Sequence, residues 1–575
     1  MKLVVMVCCI SYVLATPLKI NSVWAGGCEG QFIVQANQNV HGWRATLHFN
    51  RPISVLKPTL ARVVSHNSTV WTVEGWATIA EHVTLHVVFV CFYSGNQAPS
   101  GTYRIEGSNT DMQVLSTALP VDKNSIFQVS ATKYNYSEAL GLSILFYEAQ
   151  RSGKLPANNR IPWRGDSALN DSDNGHDLTG GWYDAGDHVK FNMPMAFSTW
   201  VLGWGMLKFK VGYEAAGQLD MACDMLKWPL EYFLKCWVPN ENTLYVQVGD
   251  LEKDHRYWGR AENMNMSRPV YKVTPSCAGS DVGGATVSSL AAGYLVFKDV
   301  CPDIQFANRL LSAANSLYTF TFNNRGIYTR CVKNSAQSYL SSQERDEVAV
   351  ASAWMYKATG EDKYLKNAKD LYPAGRPWSF DWNNEQTGAA LLLYEATQDP
   401  IYKGEIETML RYYLPGGGAL YTPCGLMWQM EWGTNRYAAN TAFIALMAAE
   451  EGIYSDTYKR WAISQINYLL GDNKLKISYE IGFGDVYPLH PHHRGSACPT
   501  NVDWCLEDAS GPNPNLLQGA LVGGPDQWDN YADRRGDARA NEVACDYNAG
   551  FQSALAGLLH FAQNGSLPAA PDAKC

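Results

Sequence analysis

The chain has 575 residues, enough for about two to four domains, and 46% of them are hydrophobic. Its formal net charge of −9 supplies no basic face for a nucleic-acid partner. The 14 cysteines contain no C-x-x-C pair, which argues against a zinc site and for disulfides.

Lys2 leads an apolar run over residues 3–14, and Val13-Leu14-Ala15 offers small residues for cleavage before Thr16. Residues 1–15 are therefore expected to be a signal peptide, and the mature protein to be secreted, extracellular and monomeric. No later stretch is long and apolar enough to span a bilayer, so no membrane partner is expected. Sequons at Asn67, Asn135, Asn170, Asn265 and Asn564 are candidate glycan sites on such a chain.

Residues 20–107 hold short, partly alternating runs of β-branched and aromatic residues, notably 32–35, 43–49 and 83–89. They predict a small all-β sandwich clipped by Cys28 and Cys91, with residues 108–130 as a linker. From 131 to 565 the apolar period becomes helical. Strong segments are 137–150, 215–235, 285–297, 306–320, 347–359, 388–397, 437–450, 458–470 and 549–561. Weaker ones are 197–208, 361–371 and 402–413. About a dozen helices with little strand between them predict an all-α (α/α)6 barrel. The competing reading is an irregular helical domain or a solenoid, although no fixed repeat supports the latter.

Four loop clusters carry the chemistry. In the first, Asp184 and Asp187 stand three residues apart around Ala185 and Gly186, with Trp182 and Tyr183 before them as candidate sugar-stacking faces. A carboxylate pair in a tight turn can activate water if a third acid faces it; the plain alternative is a helix-capping turn. The second cluster is 254–260, with Asp254, His255 and Trp258. The third, 487–495, places His490, His492 and His493 within four residues, but no Glu–His pair at ligand spacing accompanies them, so no metal is expected. The fourth runs from Asp533 to Glu542 and on to residue 550. Carboxylates, His, Arg and aromatics without a cofactor motif suit a carbohydrate.

These clusters resemble family 9 glycoside hydrolases, the cellulase family. The resemblance spans residues 133–561 and rests on GWYDAGDHVKF at 181–191, PHHRGS at 491–496 and NEVACDYNAGF at 541–551. PSCAGSDV at 275–282 and WGTNRYAAN at 432–440 also follow the family pattern. The resemblance implies an endo-β-1,4-glucanase with Asp187 as general base, Asp184 holding the water and Glu542 as general acid. His492 and Arg494 would bind the sugar at the cut, and Asp533 would support the site. His255, Trp258, Trp382 and Tyr547 would contact substrate. For Asp533 the alternative is a salt bridge to Arg534 or Arg535, and for Trp258 and Trp382 a place in the core.

Inversion by such a pair needs an ionised base and a protonated acid about 6.5–9.5 Å apart. Val486 and Ala538 depart from the family pattern, at positions usually basic or amide and aromatic respectively. The N-terminal sandwich resembles a family 2 carbohydrate-binding module, with Trp43 in the core and Trp71 and Trp76 as a stacking face. The implied partners are cellulose and β-1,4-glucan oligosaccharides. No cofactor is required; some family members bind calcium, but no calcium-loop pattern places an ion here. Processive, exo-acting or mixed-linkage action on the same fold, or a catalytically silent carbohydrate-binding protein, are the competing functions.

Overall fold

Side-chain parity organises the N-terminal part of the computed structural model. On β4 (Val40–Phe49), Trp43, Ala45, Leu47 and Phe49 are buried while Arg44 and His48 are exposed, the alternation of a strand with one face on a core. The structure describes residues 16–24, 27–35, 40–58, 61–79, 84–93, 99–106, 132–502 and 504–575. The expected signal peptide and linker lie outside the described residues. The chain divides into two compact units, Met1–Ile126 and Phe127–Cys575.

The first unit holds two antiparallel sheets. One has the order β1 (Thr16–Pro17), β9 (Gly101–Glu106), β4, β7 (Val70–Ile79), β6 (Ala61–His66). The other runs β2 (Lys19–Trp24), β3 (Gly27–Gln35), β8 (Thr84–Tyr93), β5 (Ile53–Pro58). Phe32, Val34, Val87 and Phe89 of the second sheet share one core with the buried residues of β4. Cys28 and Cys91 face each other across β3 and β8 and are disulfide-bonded, as expected.

Trp71 overturns its expectation. Its register partner on β4 is the buried Leu47, so pleating turns Trp71 inward too. It is 3% exposed, and the His66 ring stacks on it at 4.1 Å. Trp43 is in the core, as expected. The side chain of Trp76 lies outside the described residues.

All twelve expected helices of the second unit are present: α1 (Tyr136–Ala149), α2 (Asn192–Lys208), α3 (Leu219–Cys236), α4 (Ser280–Asp299), α5 (Ile304–Asn323), α6 (Arg345–Thr359), α7 (Asp362–Leu371), α8 (Gln386–Thr397), α9 (Pro400–Tyr413), α10 (Thr434–Glu450), α11 (Ser455–Leu470) and α12 (Cys545–Gln563). The even-numbered helices pack each on the next, and α12 closes on α2. Each odd-numbered helix covers this ring from outside. That is a double ring of six and six, the predicted (α/α)6 barrel.

Burial follows the rings. α12 is buried at every residue from Cys545 to Ala562, whereas α7 buries only Tyr364 and Ala368. The inner helices approach closely: a Cβ on Gly550 of α12 would lie 2.1 Å from Asn440 Oδ1 on α10. Several inner helices start before their periodic segment, α4 at Ser280 rather than 285 and α12 at Cys545 rather than 549.

Four disulfides fasten this unit: Cys223–Cys301, Cys277–Cys331, Cys424–Cys575 and Cys498–Cys505. Cys236 and Cys545 are buried thiols. Each loop leading into an inner helix is long, and the chemical clusters all lie on these loops or the first turn after them. The barrel therefore collects them at the N-terminal ends of its inner ring.

Candidate active site

The 184–188 turn ahead of α2 is built by its neighbours. Gln150, at the end of α1, donates its side-chain amide to the Tyr183 and Ala185 carbonyls at 3.1 and 2.7 Å. The Cys545 amide at the start of α12 donates to the Asp184 carbonyl at 2.9 Å, and the Arg494 amide to the Gly186 carbonyl at 3.0 Å. Only glycine fits at 186, because a Cβ there would sit 2.0 Å from the His492 carbonyl oxygen. Three distant segments thus clamp one turn, which excludes the plain surface-cap reading.

The turn aims two carboxyls into the site. Asp184 is 4% exposed; the Tyr339 hydroxyl donates to its Oδ2, and its Oδ1 is buried without a partner. Burial, then the charge of Asp187, hold the Asp184 carboxyl well above the usual carboxylate range. Asp187 is 7% exposed and accepts from the Ala185 amide at 3.3 Å. Burial raises it to about 6, against the opposing pull of the Arg494 guanidinium. Trp182 and Tyr183 are not the sugar faces expected of them. Both are buried: Trp182 packs on Tyr147 at 4.6 Å, and the Tyr183 hydroxyl donates to Ser167 at 2.8 Å.

Glu542 comes from the other side, on the short link between helix Ala538–Asn541 and α12. Its carbonyl accepts from the Gly523 amide at 2.9 Å, and it forms a parallel bridge with His492. The Trp432 indole donates to its Oε2 at 3.1 Å. Burial first, then the Asp187 charge, push Glu542 up to about 7.

The side wall joins the second and third clusters. His492 Nδ1 donates to the Arg535 carbonyl at 2.7 Å, and burial lowers its pKa. Its ring meets Trp258 edge-on at 5.0 Å. The Arg494 guanidinium lies over the Trp258 ring at 5.2 Å, bonds the Tyr257 carbonyl at 3.0 Å and stands 3.6 Å from Asp254 Oδ2. Asp254, 1% exposed on its side chain, accepts the His188 amide at 3.2 Å, and burial raises it to about 6. His255 is exposed beside it. Donor atoms of Asp187, Asp254 and His255 all lie within 4.8 Å of one another, a spacing a cation could bridge. Arg494 already supplies positive charge there.

Three expected site residues are held in structural contacts, and of these Tyr547 alone is fully buried. Asp533 takes the Leu489 and His490 amides at 2.8 and 2.9 Å and His490 Nδ1 at 2.9 Å, so it pins the 489–490 loop. Neither Arg534 nor Arg535 is among these partners, and Arg535 instead bonds the carbonyls of Glu507, Ala509 and Gly511. Trp382 is half-buried and meets Tyr339 edge-on at 4.9 Å, bracing the residue that holds Asp184. Tyr547 departs from its expected substrate contact: it is 2% exposed and packs with Ala185 and Ala544 beneath the turn. Val486 is exposed, and Ala538 opens the short helix whose last turn receives the Glu542 amide.

Tyr339, Trp432, Asp254 and Gln150 complete the site without having been assigned from sequence. Trp432 and Asp254 lay inside quoted motifs, so their places were marked though their roles were not. Tyr339 and Gln150 carry no local signal.

A profile described as glycosyl hydrolase family 9 matches residues 136–555. Endoglucanase A of Bacillus pumilus is 42% identical over 462 residues, 77% of this chain and 69% of that protein. Among solved structures, the endoglucanase of the termite Nasutitermes takasagoensis is 45% identical with a TM-score of 0.72, covering 75% of this chain and 99% of that one. The cellulase Cel9M of C. cellulolyticum in complex with cellobiose is 37% identical with a TM-score of 0.69, covering 74% and 99%.

Proposed function

The chain belongs to glycosyl hydrolase family 9 and is an endo-β-1,4-glucanase of that family, and on that premise we propose that it cuts by a single inverting displacement. Asp187 takes a proton from water as its oxygen attacks the anomeric carbon. Glu542 gives its proton to the departing glycosidic oxygen from the opposite side. One C–O bond forms and one breaks, and the new hemiacetal is the α-anomer.

The observation that carries this reading is the pairing of two buried carboxyls, Asp187 on the clamped turn and Glu542 under the Trp432 indole, raised by burial to about 6 and about 7. Between those values the base is ionised and the acid protonated, as the displacement requires. Arg494 opposes the effect of burial at both carboxyls, and at Asp187 it is the largest opposing cause. Burial and the Asp187 charge hold the Asp184 carboxyl well above the usual carboxylate range, and Asp184 is assigned to hold the attacking water beside Asp187. Arg494 and His492 flank the sugar at the cut, with His255 and Trp258 on the same wall. Asp254 positions Arg494 and the base turn.

The substrate we assign is β-1,4-linked glucan, including cellulose and its oligosaccharides. Five disulfides among the described residues support an oxidising, extracellular compartment. No helix among the described residues is long and apolar enough to cross a membrane. For a carbohydrate-binding role of the N-terminal sandwich, Trp76 is the remaining named platform, since Trp71 is internal.

Proton NMR of the products during cellopentaose hydrolysis tests the mechanism. Initial α-anomer is the expected result. Initial β-anomer would mean a covalent double displacement and would remove Asp187 from the role of base.

A further inference from the structure

The loop of residues 498–511 has no part in the chemistry above, yet it is built against the substrate wall. The Cys505 amide donates to the Trp258 carbonyl at 3.3 Å. Arg260 Nη1 holds the Thr500 carbonyl at 3.0 Å. Glu507 stands 3.6 Å from His492 Nδ1, so the same loop touches the wall at the Trp258 backbone and at the His492 ring. Arg535 gathers the Glu507, Ala509 and Gly511 carbonyls, and the Cys498–Cys505 disulfide closes a ring only seven residues apart in sequence.

On this fastened loop, Trp504 is 64% exposed and Leu506 57%. A tryptophan side chain carries about 150–250 Å² of surface, and leaving most of it in water forfeits a large share of what burial would contribute. Among the described residues of this loop the backbone is tied at Thr500, Cys505, Glu507, Ala509 and Gly511. A stable protein interface buries about 800 Å² on each partner, more than the Trp504 and Leu506 side chains supply. One pyranose ring needs only one aromatic face. Contacts run from Glu542 to His492, from His492 to Trp258, and from Trp258 to Cys505, the residue after Trp504.

We propose that Trp504 is the stacking platform of a distal glucosyl-binding subsite that extends the Trp258 wall, so that it grips long β-1,4-glucan chains and not short ones. The proposal rests on the glucanase reading above. Holding the ring on a closed loop spares the ordering cost on binding, which lets one stack contribute usefully.

The test is the ratio of kcat/KM on cellohexaose to that on cellotriose, measured for the full chain and for Trp504→Ala and Trp504→Phe. The ratio is expected to fall about three- to tenfold in Trp504→Ala and to be largely restored in Trp504→Phe. The pH profile should not move, because Trp504 touches neither carboxyl. A ratio equal to that of the starting protein, or a loss of the same size on both substrates, overturns the proposal. The second outcome, with a lowered melting temperature, would mark Trp504 as a structural residue. Failure of the unsubstituted protein to cut either substrate would instead remove the glucanase reading, so the two failures are distinguishable.

Discussion

Tyr339 donates its hydroxyl hydrogen to Asp184 Oδ2 and leaves Asp184 Oδ1 buried with nothing to bond. One oxygen of the carboxyl is fixed so that the other points to a single place. Trp382 braces the phenol edge-on, and Phe191 packs on it at 5.0 Å. Tyr339→Phe keeps this packing and removes only the hydrogen bond. A hydrogen bond to a neutral group is worth about 0.5–1.5 kcal/mol, so kcat should fall about two- to tenfold with KM little changed. Steady-state kinetics on cellopentaose check this. An unaltered kcat would show that Asp184 is oriented without the phenol.

Glu542→Gln removes the transferable proton but keeps the shape and the Trp432 contact. General acid catalysis contributes about 10²–10⁴-fold, so turnover should fall by at least that range while cellopentaose affinity, read by calorimetry, persists. A variant that still cuts at a tenth of the original rate would remove Glu542 from the role of acid.

The pH dependence of kcat/KM should be bell-shaped and narrow. Activity should rise through about 6 as Asp187 loses its proton and fall through about 7 as Glu542 loses its own. Asp254→Asn removes a negative neighbour of Asp187 and frees Arg494 to act on the base alone. Both changes favour ionised Asp187, so the acidic limb should move to lower pH while the basic limb follows more weakly. A profile that stays in place would show that Asp254 does not tune the base.

The barrel was legible in the sequence because most of its outer helices have one wet face, and a helical period survives there. The inner helices were placed correctly but started late. Their first turns bury polar residues such as Asp281, Asn435 and Asp546, where hydrophobic periodicity gives no signal. The catalytic turn was legible because small residues crowd between two carboxyls, and the Gly186 contact gives the physical reason. Tyr339 was not legible, since its role is set by a bond across 155 positions from a loop without a motif. Trp71 was assigned to the outer face because strand parity depends on cross-strand register, which only the pairing with Leu47 fixes.

Stability should fall as pH rises from acid to neutral, against the usual expectation for a protein rich in ion pairs. Burial raises Asp187 and Asp254 to about 6 and Glu542 and Asp281 to about 7 in the folded chain. Unfolded, the same groups titrate near 4. Between those values the native state binds more protons than the unfolded one, so each group's contribution is complete below about 4 and is lost as pH climbs through its folded value. The depressed groups work in the opposite sense: Asp177, held at about 2 with Lys235 as a partner, loses its contribution only as pH falls below about 4. The buried His188 and His493 add stability as pH rises toward about 6.5. The raised carboxyls, with Asp184, Glu347, Glu385 and Glu480 among them, outnumber these histidines. The melting temperature should therefore be higher at pH 5 than at pH 8, by calorimetry on the full chain. Asp281→Asn should reduce that difference, because it removes one of the buried groups that must ionise. A melting temperature that climbs steadily from pH 5 to pH 8 would show that these carboxyls are already charged in the folded protein, and the raised values assigned to Asp187 and Glu542 would fall with it.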